Sequence, residues 1–261
     1  MQDQIYFSDL LPEQDMYSII EKTGMGLESI RFSIAENLDV FSQTLKKEKA
    51  RLHALCVPAL TLHGPFLDLN PMCFDRLVRE ATLYRFSQAY EAAEILGAGK
   101  IVYHSCFVPG VYYLEGWAER MADFWNHFLE DRRGIAVCME NVLDPYAAPF
   151  LEVAGAVESP DFGICLDIGH AFCYGRDALP VFTDTLKDRI RHVHLHDNHG
   201  QADEHLGLGQ GTLPVRDTLR ALAAQESPPS WTIECADPEA VLGSFSCLKD
   251  TLSEQKISPR S

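Results

Sequence analysis

The chain has 261 residues, of which 46% are hydrophobic and 23% charged, with a formal charge of −16. That composition belongs to a globular protein, and no window approaches the roughly 20 apolar residues of a membrane span, which excludes an integral helical membrane protein. The negative balance repels a phosphate backbone and argues against a nucleic-acid partner.

Taken in chain order, short β-branched or aromatic runs alternate with longer amphipathic ones, the pattern of repeated βα units around a parallel sheet. Strands are predicted at residues 5–8 (IYFS), 28–32 (ESIRF), 60–63 (LTLH), 100–104 (KIVYH), 135–141 (IAVCMEN), 163–167 (GICLD), 191–196 (RHVHLH) and 231–235 (WTIEC). Between them lie helical stretches such as FDRLVREATLYRFSQAYEAAEILGAG, where apolar residues recur at three and four spacing and Gly97 and Gly99 stop the helix. Seven intervening helices and a closing one, PEAVLGSFSCLKDTLSE, make an α/β (β/α)₈ TIM barrel the expected fold, as one domain over 1–261; an open doubly wound sheet is the rival. SPPS (227–230) reads as a helix-to-strand turn, and the basic run from Lys46 to Arg51 as a solvated helix face.

Eight cysteines without a CxxC pair are expected to be reduced thiols. The opening MQDQIYFSDLLPEQD has neither a basic leader nor an apolar stretch, so the expected location is cytoplasmic.

Chemistry in such a barrel collects at the carboxyl ends of the strands. Read there, strand three ends at His63, strand four at His104, strand five at Glu140, and strand six at Asp167 with His170 three residues on. Strand seven delivers His194 and strand eight Glu234. One polar residue at a strand end is unremarkable, but six successive strands delivering His, Asp or Glu to one rim is hard to explain by packing. Asp203 and His205 are spaced to reach one ion from the loop after strand seven. Mixed imidazole and carboxylate donors suit Zn²⁺, Mn²⁺, Fe²⁺ or Co²⁺ better than Ca²⁺.

Other rim residues have plainer readings. His192 reads as a satisfied interior histidine, Cys138 and Cys165 as small inward filler beneath the site, and His53 and His127 as structural. His196 and His199 stay open, and Asp197 is a candidate to orient a ligand imidazole. Backbone amides at Gly209 and Gly211 of the GLGQG turn, together with Arg176, are candidate contacts for a substrate phosphate; a solvated loop is the alternative for each.

The motifs TLHGPF, VYHS, CMEN, CLDIGH, HVHLHD, DEHLGLGQG and TIEC, spread over nearly the whole chain, resemble the xylose isomerase-like barrel superfamily of sugar isomerases, ketose epimerases and endonuclease IV-type repair enzymes. Resemblance to the epimerase branch implies one metal held by Glu140, Asp167, His194 and Glu234, with His170 beside the substrate. Resemblance to the endonuclease IV branch implies three zinc ions on those residues together with His63, His104, His170, Asp203 and His205. One to three divalent ions per chain are therefore expected. Two departures weigh against the nuclease: Glu204 stands where the repair enzymes place an arginine, and LHDNHG replaces an LNDAKS type of sequence.

The expected function is a divalent-metal-dependent sugar or sugar phosphate isomerase or epimerase acting by proton transfer next to a carbonyl. Glu140, Glu234 and His170 are the expected catalytic groups and a small carbohydrate the partner; oligomeric state is open. Proton transfer is preferred over hydride shift because none of the eight lysines falls at a strand's carboxyl end. The alternatives are zinc-dependent cleavage of abasic DNA and a non-catalytic barrel that binds a ligand or stores metal.

Overall fold

A computed structural model describes residues 4–257. The first three residues of the opening stretch and the side chain of Lys256 lie outside the described residues. Strands β1 (Ile5–Ser8), β2 (Gly26–Ser29), β3 (Leu60–His63), β4 (Lys100–His104), β5 (Ala136–Glu140), β6 (Phe162–Asp167), β7 (Ile190–Leu195) and β8 (Ser230–Ile233) pair in chain order, all parallel. β1 pairs with both β2 and β8, which closes the barrel and rules out the open sheet.

Among the described residues ten α-helices cover the outside. They are α1 (Glu13–Thr23) after β1, α2 (Ala35–Asp39) and α3 (Phe41–Ala54) after β2, α4 (Arg76–Leu96) after β3, and α5 (Trp117–Leu129) after β4. Then come α6 (Ala148–Ala156) after β5, α7 (Ile168–Tyr174) and α8 (Leu179–Leu186) after β6, α9 (Val215–Ala223) after β7, and α10 (Pro238–Ile257) after β8. The predicted long helix is α4. Asp75 caps it by accepting from the Leu77 amide, and Gly97 ends it in the left-handed conformation at φ 74°.

The prediction for the second strand is corrected. It runs over Gly26–Ser29, and residues 30–32, expected as strand, lie beyond it, with Arg31–Ser33 forming a 3₁₀ turn. The strand begins at Gly26 because the chain crosses the Tyr6 ring there; a Cβ would fall 2.4 Å from Tyr6 Cδ1. It ends where the Ser29 hydroxyl accepts the Arg31 amide and donates to Glu48. The shift places Glu28 in the interior of the strand instead of at its start.

Strand residues alternate between two environments. Outward residues such as Leu62, Tyr103 and Trp231 join the helices in the main core. There Phe86 of α4 stacks on Tyr103 at 4.3 Å between ring centroids, and Trp125 of α5 lies 5.7 Å from the same ring, all fully buried. Trp125→Ala is expected to cost about 3–5 kcal/mol in urea unfolding, the range for truncating a large buried aromatic. Inward residues are polar except for a small apolar layer of Val102, Cys138 and Cys165, which bears out the filler reading for the two cysteines. All eight cysteines are free.

At the amino-terminal end of the barrel Lys100 holds the Arg191 carbonyl at 3.1 Å and the Ser230 hydroxyl. Ser230 in turn pairs with His192 Nδ1 at 2.6 Å. Lys100 is thus far from the carboxyl-terminal rim.

Candidate metal centre

Alternation sends the last inward side chain of each strand to the carboxyl-terminal mouth. His63, His104, Glu140 and Asp167 are the final residues of β3, β4, β5 and β6; His194 is next to last in β7, and Glu234 lies one residue past β8. All nine predicted ligands meet at this rim, in two adjoining groups.

Glu140 is the hub of the inner group. Its Oε1 lies 3.0 Å from His194 Nδ1, and its Oε2 lies 3.3 Å from both His63 Nε2 and His104 Nε2. His194 Nδ1 also lies 3.4 Å from Glu234 Oε1 and 4.0 Å from Asp167 Oδ2. His63 Nδ1 is 2.9 Å from the Gly64 carbonyl, which can only accept, so the neutral ring carries its proton there and turns the lone pair of Nε2 on Glu140. Asp167 spends Oδ1 on the first turn of α7, accepting the His170 amide at 2.7 Å, and keeps Oδ2 toward the inner group.

Glu140 Oε2 is buried with no hydrogen bond in line. Lone pairs converging on an unsatisfied buried carboxylate oxygen are the electrostatics of a cation site, and this donor set fits a borderline divalent ion. Burial opposes ionisation of Glu140, but His194, His104 and His63 outweigh it and hold the carboxyl well below its usual range. Glu234 goes the other way: burial raises it, and Glu140 and Asp167 add to the rise against His194. Burial brings His104, stacked under Phe66 at 4.2 Å, down to about 3.

Glu28 escaped the sequence reading. Fully buried inside the barrel, it accepts from the Thr61 and Thr232 hydroxyls at 2.9 Å through Oε2, which also lies 3.1 Å from His192 Nε2. Its Oε1 faces His194 Nε2 at 3.0 Å, on the side of that ring opposite Glu140. A buried carboxylate against the far nitrogen of a ligand imidazole is the usual means of fixing ring orientation. The detectable signal was an acid inside a run of strand formers, which the misplaced strand start concealed. His192 bears out its interior reading, bridging Ser230, Thr232 and Glu28.

The outer group gathers around Asp203. His170 Nε2 and His205 Nε2 lie 3.2 and 3.1 Å from its Oδ2, and His196 Nδ1 lies 3.5 Å from its Oδ1. His196, left open by the sequence, is fully buried and belongs here, whereas His199 is exposed and pairs with Glu204. In the metal-free protein protons balance Asp203. Burial opposes this, but Asp167 and Asp203 carry His170 to about 10, and Asp203 and Glu234 carry His205 to about 9. Both values exceed the unfolded imidazole near 6.5, so this contribution is complete below about 6.5 and is lost as pH rises through 9 to 10. Metal-free protein is expected to show a falling Tm over that window, and saturating Zn²⁺ to abolish the fall.

Two proposed roles are corrected. Asp197 does not orient an imidazole: its carboxylate accepts the amides of Asn198, Gly209, Gly211 and Leu213 at 2.8 to 3.0 Å. For the same reason Gly209 and Gly211 have no amide left for a substrate phosphate. Instead their glycines let the turn fold over Asp197, since a Cβ on Gly211 would fall 2.4 Å from the Asn198 carbonyl oxygen. Arg176 is exposed, 3.4 Å from the Tyr146 hydroxyl, outside both groups.

A closed (β/α)₈ barrel with clustered His, Asp and Glu side chains at its carboxyl-terminal rim is the class defined by these features. The chain belongs to the xylose isomerase-like TIM barrel family, whose match runs over residues 23–251. An uncharacterized protein of Methanocaldococcus jannaschii is 32% identical over 181 residues, 62% of this chain and 59% of the relative, so the chain spans less than two thirds of that relative's length. Among solved structures, a D-tagatose 3-epimerase-like protein superposes with TM-score 0.77 at 24% identity, covering 98% of this chain and all (100%) of the other. A Thermus thermophilus protein soaked with zinc chloride gives 0.80 at 23%, covering 96% and 98%. Endonuclease IV from Thermus thermophilus gives 0.66 at 19%, covering 96% and 99%. These likenesses show a shared fold. Among the described residues no helix is long and apolar enough to cross a membrane.

Proposed function

We propose that the protein is a divalent-metal-dependent isomerase or epimerase of a small sugar or sugar phosphate, working by proton transfer at the carbon next to a carbonyl. The observation that carries this reading is the pair Glu140 and Glu234. Both stand within 3.4 Å of His194 Nδ1, yet their surroundings drive their proton affinities apart. Two neighbouring carboxyls separated in this way are suited to one taking a proton while the other holds one.

A divalent ion held by Glu140, Asp167, His194 and Glu234 supplies charge stabilisation to the oxyanion that forms when the substrate carbonyl enolises. The chain's own residues do the rest. Glu140 stays ionised at the centre of three imidazoles and accepts the carbon-bound proton, and Glu234, raised by burial, returns a proton to the enediolate. His170, turned toward Asp203, bounds the substrate space on the outer side. Arg176, exposed just after α7, is kept as the proposed contact for a phosphorylated substrate.

The test is a screen of keto-sugars and their phosphates in D₂O with Mn²⁺-, Co²⁺- or Zn²⁺-loaded protein. Incorporation of one solvent deuteron per turnover is expected; interconversion without deuterium would indicate hydride shift and remove this mechanism. Convergence of all nine ligand positions, with endonuclease IV among the similar structures, favours one second reading: zinc-dependent phosphodiester cleavage at abasic sites. Cleavage of an abasic duplex that is lost in His63→Ala would establish it, and no cleavage by fully zinc-loaded protein would eliminate it.

A further inference from the structure

We propose that the cleft between α4 and α5, on the outside of the barrel, is a binding site for a small aromatic monocarboxylate. None of the residues lining it belongs to the metal centre, so the inference stands apart from the proposed function.

Residues three and four apart share one face of a helix. On α4 that face carries Arg76, Glu80 and Leu83, and on α5 it carries Arg120, Phe124 and His127; these are the two walls of a cavity of about 480 Å³. Residues 71–74 of the β3–α4 loop complete the lining. That segment is tied down on both sides. Arg79 Nη1 donates to the Cys73 and Phe74 carbonyls at 2.6 and 2.9 Å, and the Phe74 ring stacks on Tyr112 at 6.3 Å between centroids. A preformed concavity of this size, with apolar walls and few polar groups, is the usual form of a small-molecule site.

The charges in the cleft select the ligand. Arg76 is paired with Glu80, and Arg79 is spent on the two carbonyls. Arg120 differs from both: half-buried, it has no hydrogen bond and no acidic partner among the described residues, and its Nε is sealed from water without an acceptor. Its guanidinium carbon lies 5.6 Å from the centroid of the Phe74 ring. A Cβ at position 116 would fall 3.1 Å from its Nη1, so a glycine there leaves the guanidinium its place.

A ligand carboxylate supplies the acceptor that Arg120 lacks, since a guanidinium matches a carboxylate with parallel N–H donors. Phe74, 72% exposed, and Phe124 offer ring surface to a planar apolar body joined to that carboxylate. Asp123, in the same lining one turn beyond Arg120, opposes a second negative charge. The chain as a whole, at −16, repels polyanions. One unpaired arginine beside an acid therefore favours a monocarboxylate over a phosphate dianion.

The experiment is equilibrium dialysis of naphthoate, with naphthamide and naphthyl phosphate as comparisons, against zinc-loaded and metal-free wild type, Arg120→Gln and Leu83→Trp. Wild type is expected to bind one naphthoate per chain with the same affinity in both metal states, and naphthyl phosphate no more tightly. Naphthamide on wild type, and naphthoate on Arg120→Gln, should bind at least about tenfold more weakly, the worth of a hydrogen bond to a charged group. Leu83→Trp fills the cavity from the α4 wall and should abolish binding; it decides the question if Arg120→Gln does not fold. Absence of saturable naphthoate binding below about 1 mM would overturn the proposal, as would equal affinity for the amide or a preference for the phosphate. Binding that requires zinc and survives Arg120→Gln would place the probe at the metal centre and overturn it as well.

Discussion

Glutamine in place of Glu234 is expected to lower kcat on the best keto-sugar by about 10²- to 10⁴-fold, the range contributed by a positioned acid or base. Burial, Glu140 and Asp167 all raise the proton affinity of Glu234, which suits it to return a proton to the intermediate. Glutamine keeps the volume and an oxygen donor but cannot exchange that proton. Metal content measured on the same preparation separates the two roles of this side chain. Retained ion with lost deuterium exchange assigns proton transfer, whereas ion and turnover lost together assign ligation. Glu140→Gln should lose at least as much, because Glu140 is also the carboxylate that His63, His104 and His194 all face. Full turnover in both variants would remove this pair from the mechanism.

Glu28→Gln is expected to weaken the inner ion by about 10- to 100-fold, the usual cost of deleting the partner behind a metal-bound imidazole. Glu28 Oε1 lies 3.0 Å from His194 Nε2, on the side of the ring opposite Glu140, so its charge holds the imidazole between two buried carboxylates. An amide in its place removes that charge and loosens the ring. Removing one partner from a buried charge cluster also costs stability, about 3–5 kcal/mol where the other charge is stranded. Competition with a chromophoric chelator gives the affinity and urea unfolding of metal-free protein gives the stability. A drop in stability with unchanged affinity would make Glu28 a packing residue and nothing more.

Strand content, strand order and the polar rim were legible because they depend on local pattern. A parallel barrel strand is short, and its last inward side chain stands at the mouth, so His63, His104, Glu140, Asp167 and His194 could be assigned from spacing alone. Glu28 was not legible in the same way. A strand start shifted by two residues hid an acid whose partners, Thr61, His192, His194 and Thr232, are 33 to 204 positions away along the chain. Asp197, Gly209 and Gly211 were misread for a related reason. A carboxylate near ligands and a glycine turn near a barrel mouth have several uses, and only the fold shows that each satisfies the other.

The sequence by itself determined the barrel, through alternation and element order, and the chemistry at its rim, through the residue types at the strand ends. Only the tertiary structure decided how those residues divide into an inner group on Glu140 and an outer one on Asp203. It also decided which nitrogen of each imidazole faces inward, and that His196 is buried against Asp203. The physical reason is that backbone pattern is a short-range property, written in neighbouring side chains. Ring orientation, burial and charge compensation depend instead on atoms that closure of the barrel brings within about 3 to 4 Å, whatever their separation along the chain.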